Sequence, residues 1–288
     1  MKGKLALGIF LILAVTLAVG CGGGRKAIQI KGSDTMVNLG QAWAEEFMRI
    51  NPAVSIAVTG GGSGTGIASM IGGKTDIAES SRNMEPKEIE QAKKNGIEPK
   101  EIHVANDGIT LVVNPANPVS KLTLQQLSDI FTGKIKNWKE LGGLDQKIVP
   151  LSRERNSGTH VFFLEHVVKM GVKKNPNEFA AGVLMMPSSQ AIIEEVKSNI
   201  QAIGYVGLGY LTSKEKALSI AKDANSPYIY PTIQSVNKKQ YPVSRSLLFY
   251  TNGEPSEMLK SFVDFVLSPE GQKVVLKMDF VPVHLEEK

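Results

Sequence analysis

The sequence predicts an α/β fold with largely parallel sheets. Short β-branched, apolar runs alternate with segments whose apolar residues recur every three or four positions, the pattern of strands leading into amphipathic helices. No internal repeat or long low-complexity stretch interrupts that alternation. With 288 residues, 42% hydrophobic and 21% charged, the chain can form one large domain or two lobes of ordinary size.

The N-terminus reads as an address. Lys2 and Lys4 precede an uncharged apolar run, Leu5 to Val19. Its 15 residues are fewer than the roughly 20 a membrane span needs, and they suit a secretory signal over residues 1–20. The run ends LAVGC, with small residues before Cys21, and GGGRK follows. This resembles a lipoprotein signal, which implies lipidation of Cys21 and a flexible tether over 21–26. Cys21 is the only cysteine, so no intramolecular disulfide can form.

The mature chain opens on a strand, AIQIKG. Met36, Leu39, Trp43, Phe47 and Ile50 then mark a helix over 34–50, with Asp34 as its expected N-cap and Asn51-Pro52 as its stop. VSIAVT is a strand, and GGGSGTG leads into a helix carrying Ile67, Met70 and Ile71. TDIAESS is a strand, and EPKEIEQAKKNG a solvated helix closed by Gly96. EIHVANDGITLVVNP reads as two strands. LTLQQLSDIFTG is a helix closed by Gly133, KIVPLS a strand, SSQAIIEEVKSN a helix and AIGYVGLGYL a buried strand. VSRSLLFYTNG is a strand, and SEMLKSFVDFVLSPEGQKVVLKM supplies two closing helices.

Composition excludes several classes. Without Lys2 and Lys4 the 33 basic residues fall to 31 against 28 acidic, a balance of +3, and no basic block interleaves with aromatics, so nucleic acid is not an expected partner. His103, His160, His166 and His284 stand at no metal-ligand spacing, and no metal or cofactor is expected. Residues 68–75, ASMIGGKT, fit a relaxed nucleotide-loop pattern. The expected order there is helix before and strand after, the reverse of a phosphate loop.

Three strand-to-helix junctions share one chemistry: GSDT at 32–35, GGGSGTG at 60–66 and RNSGT at 155–159. A helix N-terminus has unpaired N–H groups and partial positive charge. Glycine admits a ligand to the backbone, and hydroxyls add donors. Together these suit a phosphate-like oxyanion. At the third junction Arg153 adds a forked, permanent cation.

GSDT, GGGSGTG, KTDIAESSR and SRERNSGT, in that order, make the chain similar to the phosphate-binding proteins of phosphate ABC transporters over essentially its whole mature length. The resemblance implies a two-lobed, type II periplasmic-binding-protein-like fold with the ligand cleft between the lobes. Lobe one would be 27–113 plus 247–288, and lobe two 114–246, with NPANP at 114–118 and the region 241–246 as hinges. It implies inorganic phosphate as ligand, held by Ser33, Thr35, Ser63, Asp76, Arg153, Ser157, Gly158 and Thr159. In that set Asp76 accepts the proton that phosphate keeps and sulfate lacks. Some members orient the arginine with an acid two residues on. Here that position is Arg155, which leaves Glu154 or another group for the task. The resemblance further implies a monomeric receptor that is not an enzyme, exported to the periplasm or cell surface, anchored to the membrane by lipid and docking with ABC permease subunits.

Two alternatives stay open. One is a receptor for another tetrahedral oxyanion, sulfate or molybdate. The other is a secreted serine hydrolase or phosphatase, against which stand the missing GxSxG elbow and the missing metal ligands.

Overall fold

A computed structural model describes residues 27–283. The predicted signal (1–20), Cys21 with its tether (21–26) and His284 lie outside the described residues. In chain order the strands are β1 (Ile28–Gly32), β2 (Ile56–Thr59), β3 (Ile77–Ser80), β4 (Pro99–Val113), β5 (Lys121–Thr123), β6 (Val149–Arg153), β7 (Leu184–Met186), β8 (Ala202–Gly207), β9 (Lys216–Ala217), β10 (Ser219–Ala221) and β11 (Ser244–Asn252). The helices are α1 (Val37–Ile50), α2 (Ser63–Ile71), α3 (Pro86–Lys94), α4 (Leu124–Phe131), α5 (Gly158–Phe163), α6 (Ser189–Ser198), α7 (Ile233–Asn237), α8 (Glu257–Leu267) and α9 (Pro269–Lys277). A π-helical turn, Leu164–Val168, continues α5.

The main sheet runs β2-β1-β3-β11-β4-β8-β6-β7, and β4 holds its two halves together. β4 is a single strand of 15 residues, where the sequence pattern suggested two. Residues 99–108 pair antiparallel with β11, and residues 109–113 pair antiparallel with β8. The change of partner at Gly108–Ile109 divides the molecule. The return crossing lies at Val243–Ser244, where the Ile109 N–H donates to the Val243 carbonyl at 2.8 Å.

In the first half β1 pairs in parallel with both β2 and β3. One face packs against α1, α8 and α9 around Trp43, Phe47, Phe249 and Phe262. Trp43 meets Phe249 edge-on at 5.6 Å, and its indole N–H donates to the Gly271 carbonyl at 2.8 Å. A buried indole with its one donor satisfied retains its full hydrophobic gain. The other face packs against α2 and α3. In the second half the larger core gathers Phe131, Trp138, Phe163 and Tyr205, the last two stacked at 3.8 Å. Ile192, Ile193 and Val196 of α6 cover the opposite face.

α1 begins at Val37 behind Met36, with no side-chain cap, so Asp34 is not its N-cap. Asp34 is engaged elsewhere. Residues 68–75 do run from α2 through a Gly72-Gly73 turn toward β3.

Candidate functional site

Within each half the turns that meet ligands leave the C-terminal ends of the parallel strands, and β1 and β6 run in opposite directions because β11, β4 and β8 pair antiparallel in succession, so those ends face each other where β4 changes partner. Here the turns after β1, β2 and β6 converge, and each contacts the other two. Asp34 of the first turn accepts from the Gly61 N–H of the second at 2.9 Å. The second and third meet where the Gly64 N–H donates to the Asn156 carbonyl at 3.0 Å and Asn156 Nδ2 donates to the Gly61 carbonyl at 2.8 Å. The first and third meet twice. Thr35 and Thr159 share a hydroxyl hydrogen bond of 2.8 Å, and Arg153 Nη2 donates to Asp34 Oδ2 at 2.7 Å. These contacts join the two halves of the sheet.

Seven of the eight residues expected to bind the anion lie in this cluster. Ser33, Thr35, Ser63, Arg153, Ser157 and Thr159 are at most 3% exposed, and Gly158 is buried with them. Gly158 is needed for the approach: a β-carbon there would lie 2.3 Å from Ser63 Oγ and 2.7 Å from Ser81 Oγ. It also opens α5, whose first N–H groups have no intrahelical partner by position. Ser157 caps that helix, its Oγ accepting from the His160 N–H at 3.4 Å.

Asp76 is the exception. It precedes β3, at the opposite end of the strand from the cluster. Its Oδ2 accepts from the Gln29 N–H at 2.8 Å, and its own N–H donates to the Gln29 carbonyl at 2.9 Å. Those bonds tie Asp76 to the start of β1. The residue at the cluster end of β3 is Ser81, fully buried, which takes a hydrogen bond from Ser33 Oγ at 3.0 Å, lies 3.4 Å from Ser63 Oγ and donates its N–H to Ser63 Oγ at 3.1 Å. Within TDIAESS the closing hydroxyl, Ser81, and not the acid Asp76, reaches the cluster.

The group that orients the arginine is not Glu154. Glu154 and Arg155 are exposed. Arg153 is held by Asp34 from the other half, by Ser189 Oγ at 3.1 Å, and by the carbonyls of Pro187 and Met186 at 3.0 and 3.3 Å. The Tyr210 hydroxyl donates to the Asp34 carbonyl and steadies that turn.

Further buried polar groups stand around the cluster. Arg245 and Asp107, facing each other across β11 and β4, form an ion pair of 2.8 Å. Burial pushes the Asp107 carboxyl up and the Arg245 guanidinium down, each against the pull of its partner. Glu79, on β3, is fully buried with neither carboxyl oxygen hydrogen-bonded, and desolvation pushes its pKa up to about 8. His160 points Nδ1 at Ser152 Oγ, 3.0 Å away, and Ser152 in turn lies 2.6 Å from the Tyr205 hydroxyl. This serine is fully buried and the histidine is a satisfied core group, its pKa lowered by desolvation.

Residues 20–270 match the model of the PBP superfamily domain. The phosphate-binding protein PstS of Pseudomonas aeruginosa is 32% identical over 269 residues, covering 88% of this chain and 81% of that protein. The chain belongs to the PstS family. PstS of Bacillus subtilis is 33% identical, covering 98% of this chain and 95% of its own. Among solved structures, a putative phosphate ABC transporter substrate-binding protein from Clostridium perfringens, with bound phosphate, superposes with a TM-score of 0.80 at 37% identity, covering 90% of this chain and all of that one. The α/β fold of this PstS-family chain is that of the type II periplasmic binding proteins.

Proposed function

We propose that this protein binds inorganic phosphate outside the cytoplasmic membrane and delivers it to an ABC permease. The observation that carries this reading is the meeting of three glycine- and hydroxyl-rich turns around buried Arg153, at the line where the two halves of the molecule touch. Hydroxyls, helix-start N–H groups and a forked guanidinium are the donors a tetrahedral oxyanion requires. The ligand set is Ser33, Thr35, Ser63, Ser81, Arg153, Ser157, Gly158 and Thr159. Ser81 stands in place of Asp76, and Asp34 orients the arginine.

The two halves act as lobes that close on the anion, dividing near the strand crossings at 108 and 244. The protein is a monomeric receptor, not an enzyme. It is exported and anchored by lipid on Cys21, and Cys21→Ser yields soluble protein that carries no fatty-acid label and still binds phosphate. Fatty-acid label persisting on that variant would place the anchor elsewhere.

A thermal-shift panel of phosphate, arsenate, sulfate and molybdate on ligand-stripped protein tests the central reading. Phosphate at ~1,000 times its Kd stabilises by about 4 kcal/mol. No response to phosphate rejects the reading, and a response to sulfate or molybdate alone transfers it to another oxyanion.

A further inference from the structure

Behind the cluster lies a second arginine that none of the three turns supplies. Arg245 is 7% exposed, and its opposite number Asp107 is fully buried. Every nitrogen of the guanidinium has a defined acceptor. Nε and Nη2 donate to Asp107 Oδ2 at 3.1 and 2.8 Å, and Nη1 donates to the Ser81 carbonyl at 3.1 Å. Nη2 also donates to Thr35 Oγ1 at 3.2 Å. Asp107 is anchored in turn, its Oδ1 accepting from the Leu208 N–H at 2.9 Å. Gly207 makes room for this arrangement, since a β-carbon there would lie 2.9 Å from Thr35 Cγ2 and 3.0 Å from Asp107 Oδ2.

The contact with Thr35 has a direction. Arginine has five donors and no acceptor, while a hydroxyl has one proton and two lone pairs. Thr35 can therefore only accept from Arg245, and its proton must point elsewhere. On its other side Thr35 faces Thr159, and through it the centre of the cluster. A hydroxyl left free to rotate could present either a lone pair or a proton to an anion. One lone pair held by a fixed guanidinium biases it toward presenting the proton. The same guanidinium holds the backbone of Ser81, so one side chain sets two of the proposed ligands at once.

We infer that Arg245, held by Asp107, is a positioning residue for the anion: it fixes Thr35 as a hydrogen-bond donor toward the ligand. The inference rests on the phosphate reading above. It adds to the site a cation reached only through Thr35 and Ser81, and it makes the pair of strands that crosses between the halves part of the binding apparatus.

The test is a double-mutant cycle on phosphate affinity, measured by calorimetry in the full chain. Removing Arg245 alone would strand a buried carboxylate, so the variant is Arg245→Gln with Asp107→Asn, which keeps shape and polarity without unpaired charge. With Thr35 present, the double variant weakens phosphate binding about tenfold, as expected when a charge-assisted hydrogen bond no longer orients a ligand group. In a Thr35→Val background the same change weakens binding less than about twofold, because there is no hydroxyl left to orient. Equal losses in both backgrounds would mean the pair acts only through the fold and would overturn the inference, as would no loss with Thr35 present. Should the double variant fail to fold, Arg245→Lys with Asp107 intact gives a smaller loss with the same dependence on Thr35, and a loss independent of Thr35 overturns the inference there. Wild-type protein that takes no phosphate in the same titration overturns the phosphate reading and this inference together. Wild-type binding with an indifferent variant overturns this inference alone.

Discussion

Two arginine–aspartate pairs, Arg153–Asp34 and Arg245–Asp107, have nearly the same length, 2.7 and 2.8 Å, and opposite surroundings. The first bridges the halves of the molecule, from the end of β6 to the turn after β1, with the Asp34 side chain 20% exposed. The second joins neighbouring strands of one sheet, with side chains 2% and 0% exposed. On the proposed closing of the halves as lobes, a pair that bridges them breaks and re-forms with each cycle. A pair clamped between hydrogen-bonded strands persists. The lesson is that ion-pair distance does not reveal role; what each partner is attached to does. On the proposed reading Arg153–Asp34 serves recognition, and Arg245–Asp107 is the frame that positions Thr35 behind it.

The largest effect expected is on the frame. Arg245→Ala leaves Asp107 buried without its cation and destabilises the protein by about 3–5 kcal/mol, read as a lowered urea midpoint. Arg153→Ala changes that midpoint little, because Asp34 retains the Gly61 N–H and can reach water. It weakens phosphate binding by at least about tenfold, since a hydrogen-bonded charge contributes roughly 1.5–3 kcal/mol. Arg153→Lys recovers part of that, a point charge being unable to reproduce the fork. Were the two alanine variants to show the same balance of lost stability and lost affinity, the distinction between the pairs would collapse.

Glu79 sharpens the comparison as a buried acid with no paired cation among the described residues. Its folded pKa, about 8, lies above the ordinary 4.5. The protonated form is the one the fold favours, so its stabilising contribution is complete below about pH 4.5 and drains away as pH rises toward 8. Glu79→Gln carries no such slope and gains on wild type by a few kcal/mol across that window. Parallel stability-versus-pH curves for the two proteins would show that Glu79 finds a partner in solution. The smallest effect is at Asp76. Asp76→Asn changes the affinities for phosphate and sulfate by less than about twofold, because the side chain serves the start of β1. A loss of sulfate exclusion in that variant would return Asp76 to the site.

The alternation of strands and helices was legible because the helices are amphipathic and the buried strands are apolar, as in Ala202–Gly207, every residue of which is buried. The continuity of β4 is not visible locally because Asn106, Asp107 and Gly108 suit a turn, whereas pairing with β11 up to Gly108 and with β8 from Ile109 keeps the backbone extended. Asp34 suits a cap because it precedes an apolar period; its bonds to Gly61 and Arg153 depend on residues distant in sequence, which no local pattern encodes. Asp76 lies away from the other seven residues, tied to Gln29 at the start of β1. Ligand-facing turns leave the C-terminal ends of parallel strands, which points to Ser81, just after β3, ahead of Asp76, just before it. Arg245 and Asp107 do leave a signal: a charged residue beside an apolar, buried run of strand needs a partner, and Asp107 precedes GITLVV as Arg245 precedes SLLFY.

The place of β11 in the sheet has a consequence for how the chain is made. β11 lies between β3 and β4, and Leu248 pairs with Ser80. The second half is contiguous in sequence, from the crossing near 109 to the crossing near 243, and its own strands can find one another early. The first half waits. Until the closing segment arrives, β3 and β4 present open edges to whatever is near, the condition that invites wrong pairing. Contacts of such sequence separation are slow to form, so the half that contributes Ser33, Thr35 and Ser63 matures last, and a chain cut short before residue 244 would hold a built second half beside an unfinished, aggregation-prone first.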